Sequence, residues 1–261
     1  NTEGRHFPKA NNTNLLSFHE LKSVFSFHKF QPSDLLLISE SNPKIDHTSY
    51  LRPDGLVDLP RVMKFYQQGY TIVINRTQNF WPSHRILCQN LHGFRQENVS
   101  INAYITPANS QGFPVHYDPH NIFILQTDGS KNWSIHDEVD PVASERSHRR
   151  LALGASNQQN SFHLEKGDIL YLPKGYAHKA ETNGEASIHL SIHFEEHRIS
   201  DLLHSLIDVS EIADTDFRQP INLSDNTRQL EELMHNCIQK LNDPIFQTQA
   251  LKNLRSKIQR H

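Results

Sequence analysis

Residues 114–133 read PVHYDPHNIFILQTDGSKNW, with His116 and Asp118 one residue apart at the head of an apolar run and Lys131 just past a turn. On a strand, residues i and i+2 point to the same side. The pair can therefore offer an imidazole nitrogen and a carboxylate oxygen to one point. These are two of the three protein ligands of a 2-His-1-carboxylate triad, which binds Fe(II) and leaves positions open for substrate and oxygen. A two-residue motif recurs by chance, so the third ligand matters. The segment GDILYLPKGYAH (167–178) offers one: a turn at Gly167-Asp168, a strand over 169–172, then a bend at Pro173 and Gly175 that delivers His178, 178 − 118 = 60 residues past Asp118.

The elements that must position these residues are short and β-rich. VSINAYIT, NIFILQT, NWSIHD, SFHLE, DILYLP and SIHLSIHF lie between about residues 100 and 195, separated by turn chemistry at Asp128-Gly129, Lys166-Gly167-Asp168 and Asn183-Gly184. Many short strands without long intervening helices predict a jelly roll or small barrel. SIHLSIHF alternates, with Ile188, Leu190, Ile192 and Phe194 on one face and Ser187, His189, Ser191 and His193 on the other; a strand facing either solvent or an active-site barrel would do this. Lys131, Trp133 and Ile135 share a strand face.

Upstream, Ser17 and Glu20 form a capping box that opens a short helix through Val24. Asp58, Pro60 and the apolar Val62, Phe65 and Tyr66 predict a second helix over 59–68 ended by Gly69, and TIVINR (71–76) reads as a buried strand. From residue 199 onward Leu202, Leu203, Leu206 and Ile207, then Leu230, Leu233, Met234, Cys237, Ile238 and Leu241, follow helical spacing, joined through the polar stretch 214–225. The expected fold is mainly β with α: flanking helices and strands over 1–99, a jelly-roll core over 100–198, and a helical region over 199–261.

Composition narrows the function classes. The net charge of −3 and pI near 6.7 give no electrostatic footprint for direct nucleic-acid or anionic-membrane binding. Two distant cysteines, Cys88 and Cys237, make no disulfide framework and point to a reducing, cytoplasmic setting. No apolar run approaches the ~20 residues of a membrane span, and no signal-peptide pattern is present. The chain lacks an initiator Met, so its natural start is expected to lie upstream. With 18 histidines present, only position can promote one to a ligand.

Gly167, Pro173, Gly175 and His178, at the spacing G-x5-P-x-G-x2-H, fit the second cupin motif, with Thr182 where that motif often has Asn. Together with NAYITPANSQGFPVHYD, the apolar strand after it, the Asp128-Gly129 turn and Trp133, the sequence over roughly 55–200 resembles the ribosomal-oxygenase branch of the JmjC-type 2-oxoglutarate oxygenases. The resemblance implies a double-stranded β-helix in which His116, Asp118 and His178 hold Fe(II), with 2-oxoglutarate as cosubstrate. It places a cation for the far carboxylate of 2-oxoglutarate fifteen residues past the first metal histidine, at Lys131. It also places Tyr104, twelve before His116, and Ser191, thirteen past His178, beside the cosubstrate, with Asn102 as a further candidate. His120, His189 and His193 are expected to be supporting or surface residues.

The implied activity is hydroxylation of an amino-acid side chain of a protein or peptide, with molecular oxygen consumed and succinate and CO2 produced. The resemblance also implies homodimerisation through the C-terminal helices, followed by a winged-helix domain; the sixty or so residues after the β core leave room for the helices alone. Rival readings are a JmjC N-methyl demethylase, a hydroxylase of a free amino acid or small molecule, and a non-enzymatic metal-binding cupin.

Overall fold

In a computed structural model, residues 4–10, 15–42, 45–95, 97–144, 157–196, 198–220 and 227–258 are described. The chain divides into one compact unit over 1–95 and 99–195 and a second over 96–98 and 196–261.

Among the described residues the first unit is built on ten strands: β1 (Arg5–Phe7), β2 (Leu35–Ile38), β3 (Thr71–Ile74), β4 (Asn98–Thr106), β5 (Asn121–Asp128), β6 (Lys131–Glu138), β7 (Gln158–Leu164), β8 (Ile169–Leu172), β9 (Tyr176–Glu181) and β10 (Ser187–Glu195). They form a seven-stranded sheet in the order β1-β8-β5-β10-β4-β3-β2 and a three-stranded sheet in the order β7-β6-β9. The N-terminal region expected to flank the core thus supplies three strands of the large sheet. The bridges Gln111↔Glu181 and His116↔His178 extend the small sheet beyond β9.

Side-chain alternation assigns the faces. From β5, Ile122 and Ile124 point between the sheets, where they pack with Trp133, Ile135, Leu164, Leu170 and Leu172. Phe123 and Leu125 point the other way, into a core shared with the helices and with Ile188, Leu190, Ile192 and Phe194 of β10. The opposite face of β10, carrying His189 and Ser191, is therefore turned inward, and both residues are buried.

Three helices accompany the large sheet: α1 (Phe18–Phe27), α2 (Leu59–Gln67) and α3 (Pro82–Arg95). The capping box is present, Glu20 N–H donating to Ser17 Oγ and Ser17 N–H to Glu20 Oε2. Asp58 accepts from Arg61 N–H at the start of α2, which buries Val62. The second unit holds α4 (Ile199–Ala213), α5 (Thr227–Leu241) and α6 (Pro244–Ile258). There α4 packs on α6, with Ser205 Oγ donating to the Ala250 carbonyl and both residues buried. Of the stretch 214–225, Thr215–Arg218 is a 3-10 turn, and 221–225 lies outside the described residues. No helix among the described residues is long and apolar enough to cross a membrane.

Candidate active site

His116 and Asp118 do not sit on a regular strand. They lie in the connection between β4 and β5, before β5 begins at Asn121. Pairing with β9 supplies the order that a strand would have given. His116 N–H donates to the His178 carbonyl at 3.1 Å and His178 N–H to the His116 carbonyl at 2.7 Å, while Gly175 N–H donates to the Asp118 carbonyl at 2.9 Å. One segment, 175–178, thus anchors both halves of the motif. Gly175 can do this because its φ of +78° suits glycine and a Cβ there would lie 1.9 Å from the Asp140 carbonyl oxygen.

The three side chains converge. His178 Nε2 is 3.6 Å from Asp118 Oδ2, His116 Nε2 is 4.0 Å from Asp118 Oδ1, and one donor atom from each residue lies within 4.8 Å of the others. Small side-chain rotations would bring these donors to one ion at the ~2.0–2.2 Å of metal–nitrogen and metal–oxygen bonds. Both imidazoles carry the same orienting device: His116 Nδ1–H donates to the Pro114 carbonyl at 2.8 Å, and His178 Nδ1–H to the Tyr176 carbonyl at 3.1 Å. With the proton held on Nδ1, each Nε2 presents its lone pair to the shared point. The donor set fits a divalent metal.

A cavity extends from these donors between the sheets, and Tyr104, Ile122, Lys131, Trp133, His189 and Ser191 line it. Lys131 is 3% exposed, and its ammonium donates to Thr106 Oγ1 at 2.7 Å, which also accepts from Thr71 Oγ1 at 3.1 Å. No carboxylate faces this cation among the described residues, and burial pulls its pKa down to about 7. Tyr104 stacks flat on His189, with ring centroids 4.7 Å apart. Burial, followed by the charge of Asp118, raises the Tyr104 hydroxyl. His189 is held well below the ordinary imidazole value by burial and then by the Lys131 charge. Burial pulls His193 to about 4, opposed by Asp118 and helped by His120.

Of the residues read from sequence, Lys131, Tyr104 and Ser191 therefore share one cavity with the triad. Asn102 does not line the cavity but reaches its wall through a side-chain hydrogen bond to Tyr104; its Oδ1 accepts from Arg76 N–H at 2.9 Å and its Nδ2 lies 3.4 Å from His193 Nε2. His120 and His193 meet edge to face, 5.9 Å between centroids. Thr182 is buried and locks the loop before the motif, its Oγ1 donating to the Pro107 carbonyl and accepting from Ser110 N–H. Thr106 is a site residue the sequence reading did not single out. It lies two residues past Tyr104 on β4, so the alternation of that strand already carried the signal.

Two sheets closed around an H-x-D…H donor set define a JmjC-type double-stranded β-helix. Residues 74–202 match the JmjC domain model, so this stretch of the chain is a JmjC domain. Among curated proteins it is 32% identical over 190 residues to the bifunctional lysine-specific demethylase and histidyl-hydroxylase NO66 of Drosophila persimilis, covering 68% of this chain and 28% of that protein. The NO66 protein of Aedes aegypti is 30% identical over 241 residues, covering 81% of this chain and 38% of the relative. The chain thus spans well under half the length of these relatives. The fold is also that of the Escherichia coli ribosomal oxygenase YcfD, solved with cobalt and 2-oxoglutarate, at a TM-score of 0.63 and 14% identity over 97% of this chain and 67% of that one.

Proposed function

We propose that this protein is an Fe(II)- and 2-oxoglutarate-dependent oxygenase that hydroxylates an amino-acid side chain of a protein or peptide. The observation that carries the reading is the pairing, within one cavity, of three convergent metal donors with a buried lysine that has no carboxylate partner among the described residues. A buried cation is costly unless a counter-charge joins it, and a dicarboxylate chelating the metal at one end would supply that charge at the other. His116, Asp118 and His178 would hold Fe(II). Lys131, Tyr104 and Ser191 would hold 2-oxoglutarate, with Asn102 supporting the wall through His193. When bound, the metal and cosubstrate supply the oxidising chemistry: 2-oxoglutarate and O2 become succinate and CO2, and one oxygen atom enters a substrate C–H bond.

The protein's own contribution is placement. The Pro114 and Tyr176 carbonyls keep protons on the two Nδ1 atoms, Lys131 fixes the far carboxylate, and Trp133 and Ile122 exclude water from the inner wall. The similarity to NO66 proteins, named histidyl-hydroxylases, and the fold shared with a ribosomal oxygenase support a protein side chain as the substrate class. The same name includes a lysine-specific demethylase, which supports N-demethylation as the second reading. We also place the protein in the cytoplasm, supported by two free cysteines, and as a homodimer formed through the helical unit.

Anaerobic titration of the apoprotein with Fe(II) and then 2-oxoglutarate tests the core of this reading. The visible charge-transfer band of a chelated cosubstrate is expected in the wild type and lost in Asp118→Ala. Bound iron without a band would sink the cosubstrate assignment. Turnover then separates the two reactions, because hydroxylation adds the mass of one oxygen to a peptide whereas demethylation releases formaldehyde.

A further inference from the structure

One buried polar ring in the cavity is not used by the reaction described above. His189 is 3% exposed and fixed on two sides, parallel to Tyr104 (3° between planes) and edge-on to Trp133 (79°, centroids 5.2 Å apart). Neither of its ring nitrogens has a hydrogen-bond partner among the described residues, and its Nδ1 and the neighbouring Trp133 Nε1 are fully enclosed without one. Buried polar atoms left unmade in this way are rare, because each costs the desolvation of the group. Here they belong to two rings that meet edge-on in the wall of a cavity that Lys131 and Tyr104 also line. The carboxylate in that described lining, Asp118, belongs to the metal donors, and the Lys131 ammonium has no carboxylate paired to it among the described residues, so its end of the cavity calls for an anion.

The backbone has a specific reason for presenting His189 there. In the pairing of β10 with β5, Ile188 faces Asp128 but His189 faces Gln126, so Thr127 is an extra residue on β5. Thr127 Oγ1 donates to the Ile188 carbonyl at 3.1 Å and secures the bulge immediately before His189. A bulge of this kind re-aims the side chain beside it and is a frequent neighbour of active sites.

We propose that His189 is a specificity-determining residue that donates an imidazole N–H to the far carboxylate of the cosubstrate, the same carboxylate that Lys131 pairs. It thereby selects a 2-oxo dicarboxylate over 2-oxo acids that lack the second carboxylate. This inference rests on the cosubstrate reading above and adds a residue that the metal and lysine alone do not require.

The test is equilibrium binding, read by calorimetry, on anaerobic Mn(II)-loaded protein rather than turnover. The ligands are 2-oxoglutarate and 2-oxopentanoate, the same chain without the far carboxylate. His189→Phe keeps an aromatic ring against Tyr104 and Trp133 but removes the N–H; His189→Gln returns an N–H without the ring. A hydrogen bond to a charged group corresponds to ~10-fold or more in affinity. His189→Phe should therefore weaken 2-oxoglutarate binding by at least ~10-fold, leave 2-oxopentanoate within ~2-fold and keep the metal content of the wild type, while His189→Gln recovers part of the loss. If Phe destabilises the barrel, His189→Ala measured against His189→Gln gives the same comparison. Equal weakening of both acids, or no weakening of either, would overturn the proposal and leave His189 as packing. Wild-type protein that binds 2-oxoglutarate no more tightly than 2-oxopentanoate would instead overturn the cosubstrate reading itself.

Discussion

Burial pulls the Lys131 ammonium down to about 7, with the Thr106 hydroxyl as its hydrogen-bond partner. A carboxylate arriving beside it favours the charged form, so binding 2-oxoglutarate raises that pKa. Below about 7 the lysine is already protonated and binding takes up no proton. Above it each binding event must take one up, so affinity falls as pH rises through about 7, approaching ~10-fold per unit until the bound-state pKa is reached. Binding of 2-oxoglutarate to the Mn(II)-loaded protein between about pH 6.5 and 8.5 should show this decline. Lys131→Arg stays charged throughout and should bind with a nearly flat profile; a flat wild-type profile would mean the free lysine is already charged. At this scale the sequence was informative about donors and silent about their surroundings. The His116–Asp118 pair was legible from spacing as possible donors, and His178 and Lys131 from their positions in the family motifs. That Lys131 would rest on Thr106, or that His189 would lie flat on Tyr104, depends on three strands meeting, which no local spacing encodes.

Among the elements, β9 and the bend before it do the most for the site; the bend was legible at Pro173 and Gly175, but the strand after it was the least visible. YAHKAE lacks a clean apolar alternation, because β9 is flanked on one side by β6 and on the other by the bridged segment carrying His116. It reads as a loop until its partners are known. The stretch 82–95 likewise shows no clean stripe: Leu87 and Leu91 pack on the core, while Ile86 and Phe94 are exposed. Strands with clear patterns, the apolar run within 121–128 and the alternation within 187–195, fell where the sequence placed them. The bend yields a prediction that separates strain from positioning. Gly175→Ala combines a left-handed backbone, worth ~1–2 kcal/mol for an L residue, with a Cβ 1.9 Å from the Asp140 carbonyl oxygen. Gly184→Ala, at φ +74° with nothing within 4 Å, carries the backbone cost alone. Both should lower the melting temperature, by ~2–4 °C per kcal/mol in a chain of this size, with the Gly175 variant clearly lower. Only Gly175→Ala should also weaken Mn(II) binding, because its N–H holds the Asp118 carbonyl. Equal metal affinity in the two variants would detach the bend from the triad.

For the molecule as a whole, the helical unit poses a question of association. One face of α4 is satisfied: Ser205, Val209 and Ser210 are buried, and Ser205 bonds to Ala250 of α6. Another face is not, for Ile199, Leu203 and Ile207, spaced by four, are 80%, 53% and 47% exposed, and Met234 and Ile238 of α5 are 64% and 54% exposed. Scattered exposed apolar residues need no explanation, but a helical stripe of them marks a surface that something covers. The helical periodicity read from the sequence could not distinguish these faces, because buried and exposed apolar residues alternate within the same turns. If a second copy covers the stripe, as the proposed homodimer requires, light scattering on the eluting protein should give twice the 30.2 kDa of one chain. The paired change Leu203→Glu with Ile207→Glu should then give a monomer, since burying two carboxylates against an apolar partner costs several kcal/mol. Both positions are exposed within the chain, so the variant should keep its fold and full Mn(II) and 2-oxoglutarate affinity. A wild-type chain that remains at 30.2 kDa at high concentration ends the dimer proposal, and a double variant that still dimerises moves the interface off α4.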